Sequence, residues 1–163
     1  MNDRYTIVTL TELLTVTRDG EHGFTVCAEH ARSDELKRMF ASRAHRHAST
    51  IVELSDLIAR LGGDPTARRS RLIGSTRRGW ANLHVALTLN TDDALIQVCE
   101  HGEDHALEVY RNALDDHLPE FIRPMILRQF EGMMSDYDQI RFLRSDPLQG
   151  GLVAASTGGD ARP

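Results

Sequence analysis

The stretch that opens Ser33-Asp34-Glu35 and closes Leu61-Gly62-Gly63-Asp64-Pro65 decides how this chain is read. Between those ends Leu36, Phe40, Ala44, His47, Ile51, Leu54, Ile58 and Leu61 recur at three- and four-residue steps. Such spacing places them on one face of an α-helix. Ser33 is a residue type whose side chain satisfies orphan amides of a first turn, and Asp34 and Glu35 complement the positive end of the helix dipole. Two glycines, an aspartate and a proline then stop the helix. At 1.5 Å per residue it is about 38 Å long.

Upstream, residues 7–32 carry Leu10, Leu14, Thr17, Phe24, Ala28 and Ala31 at helical steps. Gly20 and Gly23 interrupt this face at a cost of about 1 kcal/mol each relative to alanine. They are tolerable where another helix packs closely. Downstream, residues 64–90 read as a loop and a shorter helix, with Ile73, Thr76, Trp80, Leu83 and Leu87 at helical spacing. Asn90-Thr91-Asp92-Asp93 caps a third long helix whose face is Ile96, Cys99, Glu103, Ala106, Tyr110 and Leu114. After a turn at Asp115–Pro119, with Pro119 at or near a first helical position, a last long helix runs to about Arg144. Ile122, Ile126, Gln129, Met133, Tyr137 and Ile140 face inward on it, and Pro124 falls in its first turns. No segment alternates with the two-residue period of a strand. The last residues, 145–163, hold two Gly-Gly pairs and no periodic face, and are expected to be a flexible tail.

These lengths predict an all-α domain over residues 1–144. Tight turns join the first two long helices and the last two, and a crossover at 62–90, carrying a short extra helix, joins the pairs. Two antiparallel hairpins linked by one long connection is the ferritin-like form of the four-helix bundle; an up-down-up-down bundle needs a short middle loop.

Composition narrows the function. The chain has 163 residues, with 19 basic and 24 acidic side chains and a formal net charge of -5. The acidic balance argues against a nucleic-acid partner. No apolar run of the roughly 18 residues that a membrane span needs is present, so no membrane partner is expected. The first residues lack the charged-then-apolar pattern of a secretion signal, which makes the cytoplasm the expected location. Two cysteines, Cys27 and Cys99, do not make a disulfide scaffold.

Four motifs in order carry a resemblance: Asp19-Gly20-Glu21-His22-Gly23-Phe24, the Leu61–Pro65 stop, Arg78-Gly79-Trp80-Ala81-Asn82-Leu83, and Gly102-Glu103-Asp104-His105-Ala106-Leu107 with Tyr110-Arg111. Over about residues 8–144 the chain resembles an uncharacterised bacterial family of ferritin-like four-helix bundles that carry a domain of unknown function. The resemblance implies the fold and a bacterial cytoplasmic setting, with no settled activity. By analogy with other ferritin-like proteins it suggests metal binding or a stress role.

The polar residues within the apolar faces are the candidates for chemistry. Counted from the hairpin turns, Glu21, His47 and Glu103 fall at nearly the same height, a set that suits one divalent metal or iron, or a structural hydrogen-bond network. A di-iron centre needs Glu-x-x-His on two helices, and that motif is absent. His101 and His105 share a helix face beside Glu100 and Asp104, a pattern commoner on solvated surfaces than in metal sites. Arg68, Arg69 and Arg71 in the crossover are candidates for an anion or a protein partner. Hydrolase and phosphate-loop signatures are missing. The leading expectation is a non-catalytic binding or stress-associated module. A metal-dependent oxidase or peroxide-detoxifying protein and an interaction protein working through the arginines are the alternatives. A homodimer is a candidate assembly, since ferritin-like bundles often pair.

Overall fold

The computed structural model describes residues 3–67 and 77–145, and every structural statement below concerns these residues. Their regular elements are all helical: α1 (Asp3–His30), α2 (Asp34–Arg60), a 3-10 turn (Arg77–Trp80), α3 (Leu83–Leu89), α4 (Asp92–Asp115) and α5 (Arg123–Ser145). The expected first helix begins four residues earlier than its apolar spacing indicates. The crossover helix divides into the 3-10 turn and α3, broken between Trp80 and Leu83. Pro119 precedes α5: its carbonyl accepts from the amides of Ile122 and Arg123, a turn that leads into the helix proper.

The ends of the long helices are closed by the residues that announced them. Ser33 caps α2, its hydroxyl accepting from the Leu36 amide, and Thr91 caps α4 by accepting from Ala94. Gly62 ends α2 with φ +86°, a left-handed conformation that glycine adopts without a Cβ penalty. The Gly62 amide donates to Ala59 and the Gly63 amide to Ile58, the paired bonds of a Schellman stop. Asp92 also ties the α1–α2 turn to α4, accepting from the amides of Arg32 at 2.8 Å and Ser33 at 3.0 Å.

Helix α1 packs on α2 and on α4, and α4 packs on α5. The 3-10 turn lies against α4 and α1, and α3 lies against α4. Two apolar clusters fill the interior. One gathers Leu10, Leu14, Leu54, Ile58, Leu107, Tyr110, Ile122 and Ile126. The other gathers Phe24, Cys27, Phe40, Leu95, Cys99 and Ile140. On each long helix the residues between the clusters are the polar or small ones: Thr17 and Gly20 on α1, Arg43 and His47 on α2, Gly102 and Glu103 on α4, Asp136 on α5. A buried polar layer thus divides the core at mid-height.

The glycines of this region are required by close approach. A Cβ on Gly102 would sit 2.2 Å from the Trp80 indole, and one on Gly23 would sit 2.4 Å from it. Gly23 is therefore accommodated by the crossover rather than by another long helix. Gly20 faces the His47 ring, 2.6 Å from where its Cβ would lie. Trp80 fills the notch and meets Phe24 edge-on, ring centroids 5.2 Å apart. Gly102→Ala is expected to overpack this contact and to cost about 1–3 kcal/mol. Chemical denaturation followed by the fluorescence of Trp80, the single tryptophan, measures it; unchanged stability would show that the indole is free to leave the notch.

Candidate functional site

The mid-height layer assembles the most unusual chemistry in the chain. Arg43 and Glu103 are each 1% exposed and Asp136 is 3% exposed. Burying charges in an apolar interior costs several kcal/mol unless they are paired. Asp136 on α5 provides the pairing. Its Oδ1 accepts from Arg46 Nη1 at 2.6 Å and lies 3.9 Å from Arg43 Nε. Arg43 Nη2 donates to the Asp136 carbonyl at 2.8 Å and to Gln139 Oε1 at 3.3 Å. The Arg43 guanidinium also stands over the Phe24 ring, 5.9 Å from its centroid.

His47 is held on the same layer. Its ring bonds through Nδ1 to the Arg43 carbonyl at 2.9 Å, and burial pushes its pKa down, so the imidazole is neutral at physiological pH. Glu103 is the exception to the pairing. Neither of its carboxyl oxygens has a hydrogen-bond partner, and neither does Arg43 Nη1. Burial, only partly opposed by the Arg43 charge, pushes the Glu103 pKa up to about 8. At neutral pH the layer therefore holds the Arg43 guanidinium paired with Asp136, a neutral Glu103 carboxyl and a neutral His47 imidazole, with the exposed Arg46 reaching Asp136 from the rim. Next to it Cys27 and Cys99 lie in one apolar cluster as buried free thiols. Burial and the Cys27 contact push the Cys99 thiol far up, which makes it a poor thiolate source.

A second polar chain crosses the neighbouring turn. The Tyr110 hydroxyl donates to Gln129 Oε1 at 2.9 Å, Gln129 Nε2 donates to Glu53 at 3.0 Å, and Arg128 donates to Glu53 at 2.8 Å. Together with Arg43–Asp136, these bonds bridge α2 to α5 through long polar side chains.

The structure places the expected site residues as follows. His47 and Glu103 both lie in the buried layer. Glu21 does not join them: it is half-buried and lines an open groove between α1 and α2. The inward line of α1 runs Thr17, Gly20, Phe24, Cys27, so Glu21 falls one position off it. Among the described residues no three His, Cys, Asp or Glu side chains gather as metal donors. The fit is poor on physical grounds as well, because the Arg43 guanidinium occupies the layer, Arg46 reaches its carboxylate from the rim, and His47 has committed one nitrogen to backbone. His101 is exposed, and His105 is half-buried where α4 meets Gly79 of the 3-10 turn. Arg68, Arg69 and Arg71 lie outside the described residues, as does the tail beyond Ser145. Sequence reading missed Arg43 and Asp136. The available signal was positional: Arg43 sits four residues before His47 and three after Phe40, squarely on the inward face.

The sequence profile of a domain of unknown function (DUF2383) matches residues 5–116, and the chain belongs to that family. The matched segment runs from α1 to the end of α4, so the chain supplies α5 and its Asp136 beyond it. No curated protein matches the chain. Among the described residues no helix is long and apolar enough to cross a membrane.

Glu103 makes the fold pH-dependent. Below about pH 4.5 it is protonated in folded and unfolded chains alike. Between 4.5 and about 8 the unfolded chain releases the proton while the folded chain keeps it, so stability falls as pH rises through this window and levels off above it. Glu103→Gln, which mimics the protonated form, is expected to match the parent near pH 4.5 and to exceed it by about 2–4 kcal/mol at pH 9. Denaturation midpoints of both proteins across that range test this; parallel curves would refute it. Asp136→Ala, which leaves the buried Arg43 guanidinium without its counter-ion while the exposed Arg46 turns to solvent, is expected to cost about 3–5 kcal/mol in the same assay.

Proposed function

We propose that the chain is a non-catalytic binding module built as a ferritin-like four-helix bundle, two antiparallel hairpins joined by the 62–90 crossover, and that it works in the bacterial cytoplasm in a stress-associated role. One observation carries the non-catalytic reading. At mid-height, where a ferritin-like di-metal centre would need carboxylates and Glu-x-x-His pairs, the chain places Arg43 and Arg46 on Asp136. These cations disfavour a metal ion and use the available carboxylate to hold α2 to α5. The stress-associated role rests on the ferritin-like resemblance alone.

The test is metal content and peroxide turnover. Protein purified without chelators, then offered ferrous iron, is expected to carry iron well below one ion per chain and to consume hydrogen peroxide no faster than buffer with the same iron. Two irons per chain, or iron-dependent peroxide consumption lost in Glu103→Ala, would establish the oxidase reading in its place.

A further inference from the structure

Helices α1 and α2 leave an open groove of about 630 Å³ along the face of their hairpin. Ala41, Ala44 and Ala48 floor its α2 side, so another helical layer can approach closely there. The two walls carry opposite charge. Glu21 and Glu29 stand on the α1 side, and Lys37 and Arg38 on the α2 side, where the His45 ring adds a hydrogen-bonding group. Neither wall takes part in the ion pairs that Arg43 and Arg46 make with Asp136, Arg60 with Asp56, and Arg128 with Glu53.

The charges also match in height. Glu29 lies three residues before Arg32 in the turn and Lys37 five after it; Glu21 lies eleven before and His45 thirteen after. The Glu29–Lys37 charge pair and the Glu21–His45 hydrogen-bonding pair are therefore each offset by two residues, or about 3 Å along the hairpin. A two-fold axis parallel to the helices and above the groove preserves height and exchanges the walls. It sets Glu29 of one copy against Lys37 and Arg38 of the other, Glu21 against His45, and repeats both contacts by symmetry. An axis in the same plane but perpendicular to the helices would stack acids on acids and bases on bases.

We propose that the α1–α2 face is the surface on which two copies of this chain associate, about a two-fold axis parallel to these helices. The inference rests on reading the chain as a binding module and names a second copy as the partner. Electrostatic matching of this kind makes association salt-sensitive and register-specific.

Sedimentation equilibrium of the full chain tests it. The parent is expected to dimerise, more weakly at high salt. Glu29→Lys, or Lys37→Glu with Arg38→Glu, is expected to raise the dissociation constant about tenfold or more by setting like charges against each other. Combining all three substitutions in one chain swaps the walls and is expected to restore the dimer. These side chains are exposed, so circular dichroism and thermal melting should show the fold unchanged in every variant. A monomeric parent, a dimer indifferent to the single-wall reversals, or a combined variant that stays weak would each overturn the interface. These outcomes are independent of metal content: a monomer without iron fails this inference alone, whereas an iron-loaded dimer fails the non-catalytic reading alone.

Discussion

A single side chain, that of Asp136, pairs with the Arg43 guanidinium inside an otherwise apolar interior and with the exposed Arg46 at its rim. Much of the molecule depends on that pairing. Helix α5 packs on α4, but its link to α2 runs through long polar side chains. Apolar contact is tolerant of small displacements, whereas a guanidinium bonded at once to a side chain and to a main-chain carbonyl is not. The layer therefore sets the register of α5 more sharply than the surrounding leucines and isoleucines do. Net stabilisation by such a layer is modest, because desolvation offsets most of the attraction. Its effect is to make other registers of α5 costly.

The same layer explains the small residues around it. Arg43 and His47 are bulky, and α1 makes room for His47 by presenting Gly20. Gly23 and Gly102 open the neighbouring notch into which Trp80 is driven. These glycines lower helix propensity, and the ring contacts of Phe24 with His47 and Trp80 offset the loss. The 3-10 turn, through Trp80, thus covers one side of the polar layer. Glu103, left without a hydrogen-bonding partner beneath it, retains its proton.

Much of the architecture was legible along the chain. Ser33, Thr91 and the Gly62-Gly63 stop act within a few residues of themselves, so their local chemistry survives into the structure unchanged. His47 and Glu103 were recognisable because a polar residue on an apolar face is anomalous wherever the helix finally packs. Glu21 was misplaced because a helical face is wide and two glycines blur its centre; a shift of one residue turns a side chain by about 100°. Arg43 escaped notice for the opposite reason. An arginine is normally read as solvated, and nothing local announces that its counter-ion arrives from a helix about ninety residues away.

By itself the sequence determined the four long helices, the caps at Ser33 and Thr91, the Gly62-Gly63 stop and the inward places of His47 and Glu103, since these follow from spacing, capping and turn chemistry over short range. Only the tertiary structure decided what those polar residues do. Whether Glu103 meets a metal ion, a base or a guanidinium depends on which neighbours three other helices bring to the same height. That outcome is set by long-range packing: Arg43 and Arg46 reached Asp136 first, His47 turned to its own backbone, and Glu21 was left outside on a charged groove.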